Sequence, residues 1–77
     1  MVDILEKVKK VTVVGAAKSG IAAAKLLKKK GYNVFLSDAG DEAKIDKDII
    51  NEIRKNEIEH EFGVHSDRVF DTDIVVV

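Results

Sequence analysis

The chain has 77 residues with a formal net charge of −1, no cysteine and no proline, and 45% of its residues are hydrophobic. This composition is typical of one small folded domain, excludes disulfide bonds and thiolate metal sites, and argues against general attraction to nucleic acid or an anionic membrane. No apolar run approaches the roughly 20 residues of a membrane span, and Asp3 and Glu6 interrupt any signal-peptide core, so we expect a cytoplasmic protein.

The first half of the chain predicts a strand, a turn and a helix. Residues 2–9 fit either a short helix or an irregular lead-in. The β-branched run Val11–Val14 predicts a strand buried on both faces of a parallel sheet. From Ser19 to Lys30 the apolar spacing becomes helical, and Gly31 follows where a C-terminal cap belongs. The helix face expected to pack on the sheet contains Gly20, Ala23, Ala24 and Leu27, with Leu26 beside them.

The second half predicts one more helix and three more strands. Val34–Ser37 is the second strand, and it ends at Asp38 before a polar loop. A helix of roughly ten residues ends near Asn56, because the isoleucines that precede it recur on one helical face. The remaining predicted elements are a third strand at Glu59–Phe62, a turn or single helical turn at Ser66–Phe70, and a fourth strand at Ile74–Val77.

This order of elements predicts an α/β fold. Strands separated by helix-length segments favour a right-handed parallel sheet, here a three-layer, Rossmann-like sheet with strand order 3-2-1-4. Residues 1–77 then form a single domain. The sequence stops inside an apolar run at Val77, so we expect a fragment of a longer protein, truncated after strand four.

The turn after the first strand predicts a phosphate site. A strand, a glycine turn and a helix start point main-chain N–H groups at one spot. The segment runs Gly15-Ala-Ala17-Lys18-Ser19-Gly20, so alanine replaces the middle glycine of a dinucleotide fingerprint and disfavours close approach of a pyrophosphate. Alternatively, the glycines serve only turning and packing, Ser19 caps the helix, and Lys18 is merely solvated.

Asp38 is the second candidate. It stands at the carboxyl end of the second strand, where a carboxylate can accept hydrogen bonds from a ribose or a base. Alternatively it forms a turn with its own backbone. His65 could line the same cleft, but its position favours a structural or surface role, and His60 and His65 do not form a zinc pattern.

Four segments in order resemble one family: Val11–Ala24, Gly31–Asp38, Phe62–His65 and Thr72–Val77. Together they resemble the N-terminal domain of the UDP-N-acetylmuramoyl-L-alanine:D-glutamate ligases, the MurD family of Mur ligases. The resemblance covers about residues 9–77. It implies a cytoplasmic, three-domain, ATP-dependent amide-bond ligase of peptidoglycan synthesis, and hence a role in cell-wall biogenesis, cell shape and cell division.

The resemblance also implies roles for individual residues. The N-terminal domain would bind the UDP part of UDP-N-acetylmuramoyl-L-alanine, with the diphosphate on the turn and the uracil at Asp38. Ala39 and Gly40 stand where some relatives carry larger uridine-contacting residues. ATP, magnesium and the catalytic residues would belong to the central and C-terminal domains, the other implied partners. The implied substrate-binding residues are Gly15, Ala17, Lys18, Ser19, Gly20, Asp38 and Ala39.

Two other functions fit the residues. An NAD(P)-binding domain of a dehydrogenase or sensor would also use Gly15, Gly20 and Asp38, although Ala17 speaks against it. A regulatory or scaffold domain without a ligand would need the glycines only for packing.

Overall fold

A computed structural model describes residues 9–77, so the prediction for residues 2–9 lies outside the described residues apart from Lys9. No helix in this part of the chain is both long and apolar enough to span a membrane. The elements are β1 (Lys10–Val14), α1 (Lys18–Lys29), β2 (Asn33–Asp38), a 3₁₀ helix (Glu42–Lys44), α2 (Lys47–Lys55), β3 (Glu59–Phe62), a second 3₁₀ helix (Asp67–Phe70) and β4 (Ile74–Val76).

The four strands form one parallel sheet in the order β3-β2-β1-β4, which confirms the predicted fold and strand order. In its register Val11 lies opposite both Val34 of β2 and Ile74 of β4. Parallel pairing brings the carboxyl ends of all four strands to one edge of the sheet. The loops that follow β1, β2 and β3 therefore meet at that edge, where ligands bind in open α/β sheets.

The main core lies between the sheet and the two α-helices. Side chains alternate between the faces of a strand, so Val11 and Val13 face the helices while Thr12 faces the other way. Both α-helices contact each other on that first face. On the opposite face, the buried Phe35 ring lies under the Arg68 guanidinium, 4.1 Å from the ring centroid. The main cluster contains Val11, Val13, Ala16, Ile21, Ala24, Val34, Leu36, Ile53 and Ile58.

Helix α1 packs on a slightly different face from the one predicted. Ile21 and Ala24 are its buried residues, and Leu27 packs against the cluster. Leu26 was expected beside this face but is 55% exposed. The reason is geometric, since at 3.6 residues per turn Leu26 lies about 200° around the helix from Ala24. The buried face is therefore centred on Ala24 and extends to Ile21, which was not part of the predicted face.

Both α-helices end in the same backbone motif. At the end of α1, Gly31 has a φ of +96°, and the N–H of Tyr32 donates to the Leu27 carbonyl at 3.2 Å. This is a Schellman motif, and it confirms Gly31 as the C-terminal cap position. At the end of α2, Ile58 donates to Ile53 in the same way, but the left-handed position is occupied by Glu57, with a φ of 54°.

Candidate functional site

Glycine is required at both ends of the turn between β1 and α1. Gly15 has a φ of +105°, and its N–H donates to the Ser37 carbonyl of β2 at 2.9 Å. A Cβ on Gly20 would collide with the carbonyl oxygen of Gly15 and would lie 3.1 Å from its carbonyl carbon. The helix therefore approaches the end of β1 more closely than any side chain at Gly20 would permit.

The start of α1 has no side-chain cap. Its N-cap residue is Ala17, which is extended (φ −92°, ψ 177°) and accepts the first helical bond, from Ile21 at 2.9 Å. The alternative that Ser19 caps the helix is therefore wrong. The helix begins one residue earlier than expected, at Lys18, so Ser19 occupies its second position. A residue inside the first turn has helical backbone angles and does not serve as an N-cap.

The main-chain donors of this first turn are available to a ligand. Within residues 9–77, the N–H groups of Lys18, Ser19 and Gly20 have no hydrogen-bond partner, and the first turn contains no acidic side chain. The positive end of the helix dipole lies here, and the first residue of the helix is the cationic Lys18. Convergent N–H donors at a helix start favour binding of an anion such as phosphate.

Asp38 connects this turn to the end of β2. Its Oδ2 accepts a hydrogen bond from the Ala16 N–H at 2.6 Å, and its Oδ1 accepts one from the Gly40 N–H at 2.7 Å. These two bonds, from Ala16 first and Gly40 second, lower the pKa of Asp38 despite partial burial, and His65 adds a smaller electrostatic contribution. The Gly40 bond is the turn predicted as the alternative role. Each oxygen keeps a further lone pair, so a nucleoside contact stays a prediction.

The loop after β3 is attached to the same edge. The N–H of Gly63, a residue with a φ of +81°, donates to the carbonyls of both Asp38 and Gly40 at 2.9 Å. Ala39 lies between these residues and lines an open depression with Asp41, Glu42 and the segment 60–63. Ala39 thus borders this depression next to Asp38, and its contact with a ligand stays a prediction.

A polar cluster around the buried side chain of Ser37, the residue before Asp38, was not predicted. Ser37 is fully buried, and its Oγ lies 2.7 Å from both Glu61 Oε2 and His65 Nδ1. Glu61 Oε2 also accepts the Ser66 N–H at 2.8 Å. One signal was present in the sequence, because a serine inside an apolar strand must find hydrogen-bond partners when it is buried. The sequence does not say which residues those partners are.

The two histidines have separate environments. His60 Nδ1 contacts the Ile58 carbonyl at 2.9 Å, and its ring packs on Phe62 with centroids 5.0 Å apart. His65 belongs to the Ser37 cluster at the carboxyl edge. Among residues 9–77, no group of three or more histidine, aspartate and glutamate side chains is placed to hold a metal ion.

Residues 10–77 match the family model described as the MurD N-terminal domain. The chain is similar to the UDP-N-acetylmuramoylalanine–D-glutamate ligase of Chloroherpeton thalassium, with 42% identity over 74 residues, which is 92% of this chain and 15% of the relative.

Two further relatives carry the same name. The Christiangramia forsetii ligase is 47% identical over 70 residues, which cover 88% of this chain and 15% of the relative. The Clostridioides difficile ligase is 42% identical over 72 residues, which cover 92% of this chain and 16% of the relative. The matched region of this chain therefore spans about a sixth to a seventh of the length of these relatives.

Proposed function

The chain belongs to the MurD N-terminal domain family, and we propose that it binds the UDP part of UDP-N-acetylmuramoyl-L-alanine. The observation that carries this proposal is the first turn of α1. Three main-chain N–H groups there have no partner within residues 9–77, and the Asp38 carboxylate is fixed beside them by Ala16. This pairs an anion site with a carboxylate that can accept hydrogen bonds from a nucleoside.

Each predicted site residue has a role in this proposal. Lys18, Ser19 and Gly20 bind the diphosphate through main-chain N–H groups, and the Ser19 hydroxyl and the Lys18 ammonium add a donor and a charge. Gly15 makes the turn possible. Ala17 contacts the diphosphate, and Asp38 and Ala39 contact the uridine.

The complete protein is proposed to be a ligase. Its relatives are named as ligases of UDP-N-acetylmuramoylalanine and D-glutamate. We extend that activity to this protein: a cytoplasmic, ATP- and magnesium-dependent enzyme of peptidoglycan synthesis, with a role in cell shape and division. Its central and C-terminal domains would hold ATP, magnesium and the catalytic groups. No residue of this chain is assigned a catalytic role.

A second candidate is an NAD(P)-binding domain, which the positions of Gly15, Gly20 and Asp38 favour. Calorimetric titration of the chain with UDP, NAD and NADP separates the two. We expect UDP to bind more tightly than either dinucleotide, because Ala17 replaces the middle glycine of the dinucleotide fingerprint. Tighter binding of NAD or NADP than of UDP would replace the proposal with this second candidate.

Uridine and pyrophosphate serve as partial ligands in the same titration. If the first turn of α1 carries the affinity, pyrophosphate binds and uridine alone binds far more weakly, since charge-assisted hydrogen bonds are the stronger ones. No measurable binding of UDP or pyrophosphate would contradict the proposed site.

A further inference from the structure

The hydrogen bonds of the Ser37 cluster have only one consistent direction. Ser37 Oγ carries a single proton and lies 2.7 Å from Glu61 Oε2 and 2.7 Å from His65 Nδ1. Hydrogen bonds from Ser37 and Ser66 lower the pKa of Glu61, so this carboxylate is ionised and only accepts. Ser37 must therefore donate to Glu61.

The direction of the second bond follows from the first. With its proton directed to Glu61, the Ser37 hydroxyl can only accept from the imidazole, so His65 carries a proton on Nδ1. The Val64 carbonyl, 3.4 Å from Ser37 Oγ, competes for the same proton at a much longer distance. The chain of donors thus runs from His65 Nδ1–H to Ser37 Oγ–H to Glu61.

Ser37 is also the residue to which the glycine turn is attached. Its carbonyl accepts the Gly15 N–H at 2.9 Å, and the next residue, Asp38, accepts the Ala16 N–H at 2.6 Å. The side chain of Ser37 is anchored by the cluster while its backbone holds the turn. A change in the anchoring of Ser37 therefore acts on Gly15 and Ala16 through two short hydrogen bonds.

We propose that His65 is a positioning residue of the nucleotide site, which acts through Ser37 to hold the glycine turn in its binding geometry. The inference rests on the proposed function for its effect on UDP, but its effect on the turn is independent of any ligand. His65 is itself exposed, so its removal leaves the core intact. The matched control is His60, the other histidine of the same region, whose Nδ1 contacts the Ile58 carbonyl instead of Ser37.

The first test needs no ligand. Amide hydrogen exchange is measured by NMR for the wild-type 77-residue chain and for His65→Ala, His65→Asn and His60→Ala, with the core amide of Leu36 as reference. Asparagine retains an N–H donor at the Nδ1 position. We expect His65→Ala to speed exchange of the Gly15 and Ala16 amides about threefold to tenfold, His65→Asn to restore most of the protection, and His60→Ala to leave it unchanged.

The imidazole ¹⁵N shifts of the same samples report the tautomer. We expect His65 to show a protonated Nδ1 in the neutral ring. A neutral His65 protonated on Nε2, or unchanged Gly15 and Ala16 exchange in His65→Ala, would overturn the positioning role whatever the ligand.

The second test is UDP titration of the same variants. We expect His65→Ala to weaken UDP binding about threefold to tenfold, with recovery in His65→Asn; His60→Ala serves as the control for hydrogen exchange alone, because His60 lines the depression beside Ala39. If wild-type chain binds no UDP while the exchange pattern is as expected, the proposed function fails and the coupling of His65 to the turn stands. If UDP binds equally well to wild type and His65→Ala, the positioning role fails and the proposed function stands.

Discussion

Asp38 accepts a hydrogen bond from the main-chain N–H of Ala16, 22 residues earlier, with 2.6 Å between Oδ2 and the nitrogen. The end of β2 thereby fixes the turn that follows β1. The carboxylate proposed to bind the nucleoside is thus also part of the scaffold of the phosphate site. Replacing Asp38 by alanine would remove both roles at once, so stability must be measured separately from binding.

The first prediction concerns stability and pH. Asp38→Asn should lower the melting temperature at pH 7 by about 4–8 °C, the shift that corresponds to about 1 kcal/mol in a domain of this size. The amide keeps one acceptor oxygen, so one of the N–H groups of Ala16 and Gly40 loses its partner. Thermal unfolding followed by circular dichroism measures the effect.

The sign of the pH dependence follows from the lowered pKa of Asp38. A carboxylate with a lowered pKa in the folded state adds stability above its unfolded pKa, and this is lost as pH falls through the folded pKa. The difference in melting temperature between wild type and Asp38→Asn should therefore have its full size at pH 7 and shrink below about pH 4. Asp41→Asn is the control, because asparagine can reproduce its contact with the Ala43 N–H. A constant difference down to pH 2 would contradict the role of the charge.

The second prediction concerns Gly20. Helix propensity alone says that Gly20→Ala stabilises α1 by about 1 kcal/mol. The structure gives the opposite sign, since the new Cβ would collide with the Gly15 carbonyl, and overpacking costs about 1–3 kcal/mol. Urea unfolding measures the change. A more stable Gly20→Ala variant would show that the helix can move away from β1.

The sequence predicted the sheet and most of the helices because their signals are local. The β-branched run of β1, the isoleucine spacing of α2 and the glycine at position 31 each specify their own element. Contacts between residues that are far apart in the sequence were harder to predict. The sequence places Asp38 at the end of β2, but not its bond to Ala16, and it shows a serine at position 37 without its partners. Such pairings depend on the register of the sheet, which periodicity leaves open.

The residue at which α1 begins was also predicted wrongly. Serine favours the N-cap position, yet α1 starts at Lys18 with Ala17 at the N-cap and no side-chain cap. The collision that a Cβ at Gly20 would create with Gly15 indicates how tightly the turn is constrained. Tertiary packing of the turn thus overrides the local capping preference.

The third prediction concerns Glu57, which occupies a left-handed position with a φ of 54°. Glu57→Gly should stabilise the chain by about 0.5–1 kcal/mol, because glycine avoids the strain of this conformation. The Glu57 carbonyl, which accepts from Lys28 Nζ at 2.7 Å, is retained. Urea unfolding checks the gain.

The neighbouring Asn56→Gly variant is the control. Asn56 has a φ of −92°, and its Nδ2 donates to the Glu52 carbonyl at 2.8 Å. Asn56→Gly should therefore lower the free energy of unfolding. Equal effects of the two variants would contradict the specific role of the left-handed backbone.

The last prediction separates binding from folding at Ser19. Because Ser19 is exposed and its hydroxyl has no hydrogen-bond partner within residues 9–77, Ser19→Ala should change the free energy of unfolding by no more than about 0.5 kcal/mol. If the hydroxyl donates to the diphosphate, UDP affinity should fall about 10-fold to 100-fold, the range for a hydrogen bond to a charged group.

Ser19→Thr is the matched variant, since it keeps the hydroxyl and adds only a methyl group. It should retain most of the affinity that Ser19→Ala loses, and its folding should stay close to that of wild type. Titration with pyrophosphate provides a further check. If the Ser19 hydroxyl contacts phosphate, Ser19→Ala should weaken the binding of pyrophosphate and the binding of UDP by the same factor. If Ser19→Ala weakens the binding of UDP but not of pyrophosphate, the hydroxyl contacts the uridine and not the diphosphate. If wild type, Ser19→Ala and Ser19→Thr bind UDP equally well, the diphosphate is bound by the main-chain N–H groups of α1 and by Lys18 without the hydroxyl.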